Sequence, residues 1–256
     1  MGLSTNNQTF VIAGGTTGVA RQVVIELVKL GHNVVFGDLN TAGGEDELIS
    51  ELKQYSGIGH FIHTDVTKVK DCQYLFDYTY ENFKRVDGFF SYAGITPVES
   101  LLECSEKLHN EIFDVNLKGA LFCAKYAVKY MKELNGGSIV FTGSPHSDAG
   151  EIDRVSYACS KGALVTLANH IAKNYGKYNI RSNYITMGWT PTEGELSLRA
   201  SQGMSQSDLE NHATSFIPMG SMNTYEDIVP AILYLLTNKS LMVSGSNIRI
   251  TGGWFM

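Results

Sequence analysis

Short apolar runs alternate along the chain with longer stretches whose apolar positions recur at helical spacing. Thr9 to Ala13 is followed by Val19 to Leu30, Asn33 to Gly37 by Gly43 to Tyr55, and Ile58 to Thr64 by Val69 to Phe83. This strand–helix rhythm predicts βαβαβ units and a parallel sheet with helices on both faces. The rhythm continues with a strand at Val86 to Tyr92, a long helix from about Glu106 to Leu134, and a strand at Ser138 to Thr142. A helix from Val155 to about Tyr178, a strand at Ile180 to Ile185 and a late strand at Asn247 to Thr251 complete it. Runs such as Phe10-Val11-Ile12-Ala13 are apolar at successive positions, as strands covered on both faces require.

No repeat or low-complexity linker divides the 256 residues, so one domain is expected. The segment from Thr190 to about Pro218 is rich in Ser, Glu, Gln and Met with weak helical patterning, and reads as a mobile lid over a ligand site or an ordinary surface excursion. A net charge of -6 offers no basic field, which argues against nucleic acid and anionic membrane as partners. No run approaches the ~20 apolar residues of a membrane span. Met1-Gly2 opens like a myristoylation signal, but Asn6 stands where that signal needs Ser or Thr. Cys72, Cys104, Cys123 and Cys159 show no metal or disulfide spacing, which favours a reducing, cytoplasmic setting. His60 and His63 have no ligand set around them, and Cys159 reads as a small buried residue.

Directly after the first strand, Gly14-Gly15-Thr16-Thr17-Gly18-Val19-Ala20 leads into the first helix. Glycines here let the backbone turn sharply and approach a pyrophosphate at the helix N-terminus. Any tight βα connection wants glycine, but the position of the turn between the first strand and a helix points to a Rossmann-type doubly wound sheet and a dinucleotide ligand. Asp38, at the end of the second strand, can accept both adenosine ribose hydroxyls and would repel a 2′-phosphate, favouring NAD over NADP. Thr16 and Thr17 are not basic, and no Arg or Lys directly follows Asp38. Asp65-Val66 offers a carboxylate and a backbone amide to an adenine edge.

Tyr157 and Lys161 stand at i and i+4, on one face of a predicted helix. A free phenol titrates near ~10, and a neighbouring ammonium lowers that value, so the pair suits proton transfer. Ser144 lies just beyond the strand ending at Thr142, at the carboxyl end where open parallel sheets bind ligands. Through these residues the chain resembles the short-chain dehydrogenase/reductase family over nearly its full length. The resemblance implies a catalytic set of Asn116, Ser144, Tyr157 and Lys161. In it Tyr157 is the acid/base, Lys161 lowers its pKa and binds the nicotinamide ribose, Ser144 polarises the carbonyl, and Asn116 holds a water. It further implies cofactor contacts at Gly188 and Thr192, a family-like ending at Gly252-Gly253-Trp254, and a homotetramer. Read without it, Asn116 is a buried helix asparagine or a kink.

The chain departs from the family pattern at Ala20, where a third glycine is usual, and at Met187, where proline is usual. The usual Asn-Asn-Ala-Gly reads Ser91-Tyr92-Ala93-Gly94, which puts a cofactor contact at Ser91 in doubt while Ala93 and Gly94 still approach the ribose. The polar loop from Pro145 to Arg154 points to a hydroxylated, polyol or sugar-like alcohol or ketone as substrate. His146 and Trp189 are candidate substrate contacts, though a loop histidine is also an ordinary hydrogen-bonding residue and Trp189 can simply pack under the lid. Two other readings stay open: an NADPH-preferring reductase of acyl or steroid ketones, and a dinucleotide sensor without chemistry.

Overall fold

A computed structural model of the chain describes residues 7–39, 44–201 and 203–254. The N-terminal Met1 to Asn6 motif, Gly43 at the expected start of the second helix, and Gln202 within the expected lid lie outside them. Strands β1 (Thr9–Ala13), β2 (Asn33–Asp38), β3 (Ile58–His63), β4 (Gly88–Ser91), β5 (Gly137–Gly143), β6 (Ile180–Met187) and β7 (Asn247–Ile250) form one sheet in the order β3-β2-β1-β4-β5-β6-β7. Every pairing is parallel. Successive side chains of a strand point to opposite faces, and the core divides accordingly. Val11, Val35, Phe89, Ile139 and Phe141 belong to one apolar cluster. Their neighbours Phe10, Val34, Phe36, Phe90 and Val140 belong to the other.

Helices α1 (Gly18–Lys29), α2 (Gly44–Leu52), α3 (Val69–Phe83), α4 (Glu106–Phe113), α5 (Ala120–Glu133) and α6 (Val155–Tyr175) follow the predicted pattern, with α6 passing into a short 3₁₀ turn. The expected continuous helix from Glu106 to Leu134 is instead α4 and α5 joined by a π-helical turn, Asp114–Gly119, which the hydrophobic period does not reveal. Helices α7 (Glu193–Ser201) and α8 (Gln206–Phe216) occupy the segment expected as a lid. Helix α9 (Tyr225–Leu236) is absent from the predicted elements; a capping box between Thr224 and Asp227 starts it, and it runs through Pro230. Its Ile228, Ile232, Leu235 and Leu236 are buried in the second cluster.

The carboxyl ends of β1, β4, β5 and β6 all open to one edge of the sheet. There, between β1 and β4, the strand order changes direction, and such a switch point opens a crevice.

Candidate active site

The turn from β1 to α1 works only with glycine at Gly14. Its φ is +87°, and a Cβ there would lie 2.6 Å from the Ala93 backbone nitrogen. This close approach brings Ala93 and Gly94, just beyond β4, against the turn. Asp38 closes the same corner: its carboxylate accepts from the Thr16 amide at 3.1 Å and the Thr16 hydroxyl at 2.5 Å. Thr16 therefore positions Asp38 rather than facing the groove. A cavity of about 230 Å³ opens here, lined among others by Gly14, Thr17, Asp38, Asp65, Val66, Ala93 and Gly94. Asp65 also holds its own turn together, accepting from the Thr67 amide at 3.0 Å and pairing with Lys68 at 3.2 Å.

A second cavity of about 810 Å³ adjoins it and is lined by Gly18, Val19, Ser144, His146, Tyr157 and Lys161, with Gly188, Trp189 and Thr192 on the far wall. Tyr92 borders both spaces. Its hydroxyl packs against Gly18 beside the first turn of α1, and burial pushes its pKa up to about 12. Sequence reasoning weighed Ser91 in this motif and passed over Tyr92. Ser91 is buried within β4, paired in register with Ala13 and Phe141.

At the end of β5 the chain must pass an aromatic ring, since a Cβ on Gly143 would fall 2.1 Å from Tyr184. Tyr184, buried in β6, uses its hydroxyl to tie two parts of the site together: it accepts from the Ser144 amide and donates to the Lys161 carbonyl, both at 3.2 Å. The sequence carries one signal for this role, a tyrosine in a strand too buried to leave its hydroxyl unpaired. Ser144 stands beside the Tyr157 phenol and favours its ionised form. Burial raises the pKa of Tyr157, while Ser144 and the Arg154 charge pull against it. Lys161 lies below the Tyr157 ring, 5.6 Å from its centroid, and donates to the Thr142 carbonyl at 3.1 Å.

Lys161 is 4% exposed, and among the described residues no carboxylate lies within ion-pair distance. Burial brings its pKa down from 10.5 to about 8. Between those values the unfolded chain holds a proton that the folded protein has released, so folding stability gains from Lys161 as pH rises through that window. Lys161→Met should flatten this gain relative to the parent, as read from urea midpoints at about pH 8 and about pH 10.

Asn116 sits in the π-helical turn and lines neither cavity. Its side chain accepts from the Ile95 amide at 2.8 Å and donates to the Ile95 carbonyl at 3.0 Å and the Ser160 hydroxyl at 3.1 Å. It thus fastens the loop after β4 to helix α6 beside Lys161. A π turn at such a place is a recurrent device of functional sites.

His146 rests on Tyr157 and Trp254 edge-on, with ring centroids 5.6 and 6.4 Å away. Burial brings its pKa down to about 4, so the ring is neutral at pH 7. Trp189 both lines the larger cavity and packs under α8, with His212 and Phe216 rings 5.8 and 5.5 Å away. Its indole donates to Glu195 at 2.6 Å. Cys159, expected to be buried, is exposed, because its face of α6 turns away from the sheet. Met187 ends β6, and Ala20 is fully buried in α1.

These residues fit a dinucleotide. Gly14 leaves a cradle that a side chain would fill, the smaller cavity ends on a carboxylate, and the Thr142 hydroxyl in the wall of the larger one is buried without a partner.

Known proteins share this fold. A family model described as enoyl-(acyl carrier protein) reductase matches residues 13–255. An uncharacterized oxidoreductase of Thermotoga maritima is 33% identical over 95% of each chain. The 2-dehydro-3-deoxy-D-gluconate 5-dehydrogenase of Escherichia coli is 27% identical over 98% of this chain and 96% of its own. A short-chain type dehydrogenase/reductase structure from Mycobacterium marinum superposes with a TM-score of 0.88 at 25% identity, covering 96% of this chain and 94% of that one. With the fold and the sequence match both spanning nearly the whole chain, this protein belongs to the short-chain dehydrogenase/reductase family of oxidoreductases.

Proposed function

We propose that the protein is an NAD(H)-dependent oxidoreductase that interconverts a secondary alcohol and a ketone on a small hydroxylated, polyol or sugar-like substrate. The observation that carries the reading is the meeting of Ser144, Tyr157 and Lys161 on the wall of a cavity that adjoins the Asp38 groove. When bound, the nicotinamide supplies or takes up the hydride. Asp38 would hold the adenosine ribose, the Ala93 and Gly94 backbone would border it, and Gly188 and Thr192 would flank the nicotinamide end. Ser144 would hold the substrate oxygen beside the phenol. With its pKa raised, Tyr157 is a neutral acid ready to protonate a ketone oxygen; acting as a base requires ionisation, which Ser144 and Arg154 favour.

The likeness to the gluconate-derivative dehydrogenase of Escherichia coli supports a hydroxylated substrate. Helices α7 and α8 would act as the lid, and a homotetramer in the cytoplasm belongs to the same reading. The test is purified protein with NAD or NADP and a panel of polyols and sugars set against steroid and acyl-thioester ketones. Turnover of polyols with NAD is expected. Turnover of the apolar ketones alone would overturn the substrate class, and NADH binding without any turnover would return the protein to the sensor reading.

A further inference from the structure

The loop between β5 and α6 delivers an arginine to the reacting corner. Arg154 directly precedes α6, one turn before Tyr157, and is 5% exposed although it lines the larger cavity. One of its terminal nitrogens donates to the Thr96 carbonyl at 2.8 Å. Its Nε lies 3.8 Å from an Asp153 carboxylate that is itself 44% exposed, a loose pairing. A guanidinium carries five donors and keeps its charge at any accessible pH, so these contacts leave most of its capacity unspent. A buried cation without a close anion is costly, and a ligand anion would offset that cost.

The surroundings leave this role to Arg154. Glu195, a carboxylate whose charge bears on the phenol, is held by the Trp189 indole at 2.6 Å and by Arg199 at 2.7 Å. His146 stands beside Arg154, whose charge helps to lower its pKa. The Nδ1 of His146 accepts from the Glu151 amide at 3.4 Å, which assigns the proton to Nε2 and makes that nitrogen a donor. A guanidinium and a neutral imidazole thus line the cavity that holds the phenol.

We propose that the substrate carries a carboxylate next to the reacting centre, held by Arg154 with His146 Nε2 as a second donor, so that the enzyme acts on a hydroxy or keto acid. This rests on the oxidoreductase reading above and adds the anionic group to it. Oxidation removes a hydride from the carbinol carbon, taken by NAD, and a proton from its oxygen; the carboxylate is bound and unchanged.

The experiment compares kcat/KM for matched alcohols that differ in the carboxylate, gluconate against glucitol and 3-hydroxybutyrate against butane-1,3-diol, in the parent, Arg154→Gln and Arg154→Lys. The parent should prefer the acid of at least one pair. Arg154→Gln should reduce that preference about 10²-fold, chiefly through KM, as expected when one partner of a buried charge pair is truncated. Arg154→Lys should restore part of it. Calorimetric titration of the NADH-loaded proteins with gluconate and malonate gives a readout without turnover, with binding by the parent and loss in Arg154→Gln. Equal or better use of the neutral partner by the parent, or an equal fall for both partners in Arg154→Gln, overturns the proposal. Absence of turnover on every alcohol would count against the oxidoreductase reading, and the titration would still decide the role of Arg154.

Discussion

Tyr157→Phe should lower kcat by about 10²–10⁴-fold, the usual weight of a positioned acid or base, while leaving NADH affinity and the unfolding midpoint close to those of the parent. The substitution removes one oxygen from a ring whose packing against His146 and position above Lys161 are retained. The Ser144 hydroxyl keeps its contact with the His146 amide at 3.3 Å, so the loop after β5 is not expected to rearrange. Steady-state rates, fluorescence titration with NADH and urea melts on the same preparations check all three parts. Retention of full activity would remove Tyr157 from the chemistry and shift proton transfer to another group of the cavity.

The second large effect concerns the other end of the groove. Replacing Asp38 with Ser should lower the ratio of kcat/KM for NAD over NADP by about 10²-fold, because a carboxylate facing a 2′-phosphate costs several kcal/mol and each ~1.4 kcal/mol is tenfold. Most of the change should appear in the KM for NADP, which falls once the repulsion is gone. Thr16 gives an independent check. Its amide and hydroxyl both donate to Asp38, so Thr16→Val, which keeps the shape and deletes the hydroxyl, should weaken the NAD preference less than Asp38→Ser does. A parent that already uses NADP as well as NAD would overturn the role given to Asp38.

The sheet was legible because its inner strands are buried on both faces, so that short apolar runs set off by glycine and polar residues carry the signal. β1 and the helix α3 agree with the pattern to the residue. Less legible were features whose cause lies in tertiary contacts. The π turn at Asp114–Gly119 depends on what Asn116 reaches across the fold, Ile95 and Ser160, and no local period encodes that. Helix α9 was missing from the predicted elements; it carries Pro230 inside it and buries Ile228, Ile232, Leu235 and Leu236 in the second apolar cluster.

The site divides the same way. Ser144, Tyr157 and Lys161 were legible through spacing and residue type, and they do converge. The groups that support them were not. Tyr184 works through a hydroxyl that only the folded chain brings to Ser144 and Lys161. Tyr92 and Arg154 read in the sequence as one more aromatic and one more charged loop residue, and only their burial against α1 and the cavity distinguishes them.

The π turn also separates two properties that usually move together. It spends an additional residue to present Asn116, and ordinary helix is the better-bonded alternative for the same stretch of chain. A deletion of one residue within Asp114–Gly119 would let α4 and α5 merge into an uninterrupted rod, at the cost of turning Asn116 away from Ile95 and freeing the loop beside Gly94. Selection for heat resistance alone would therefore accept a change that selection for turnover would remove, an instance of the exchange of activity for stability made at a single insertion point.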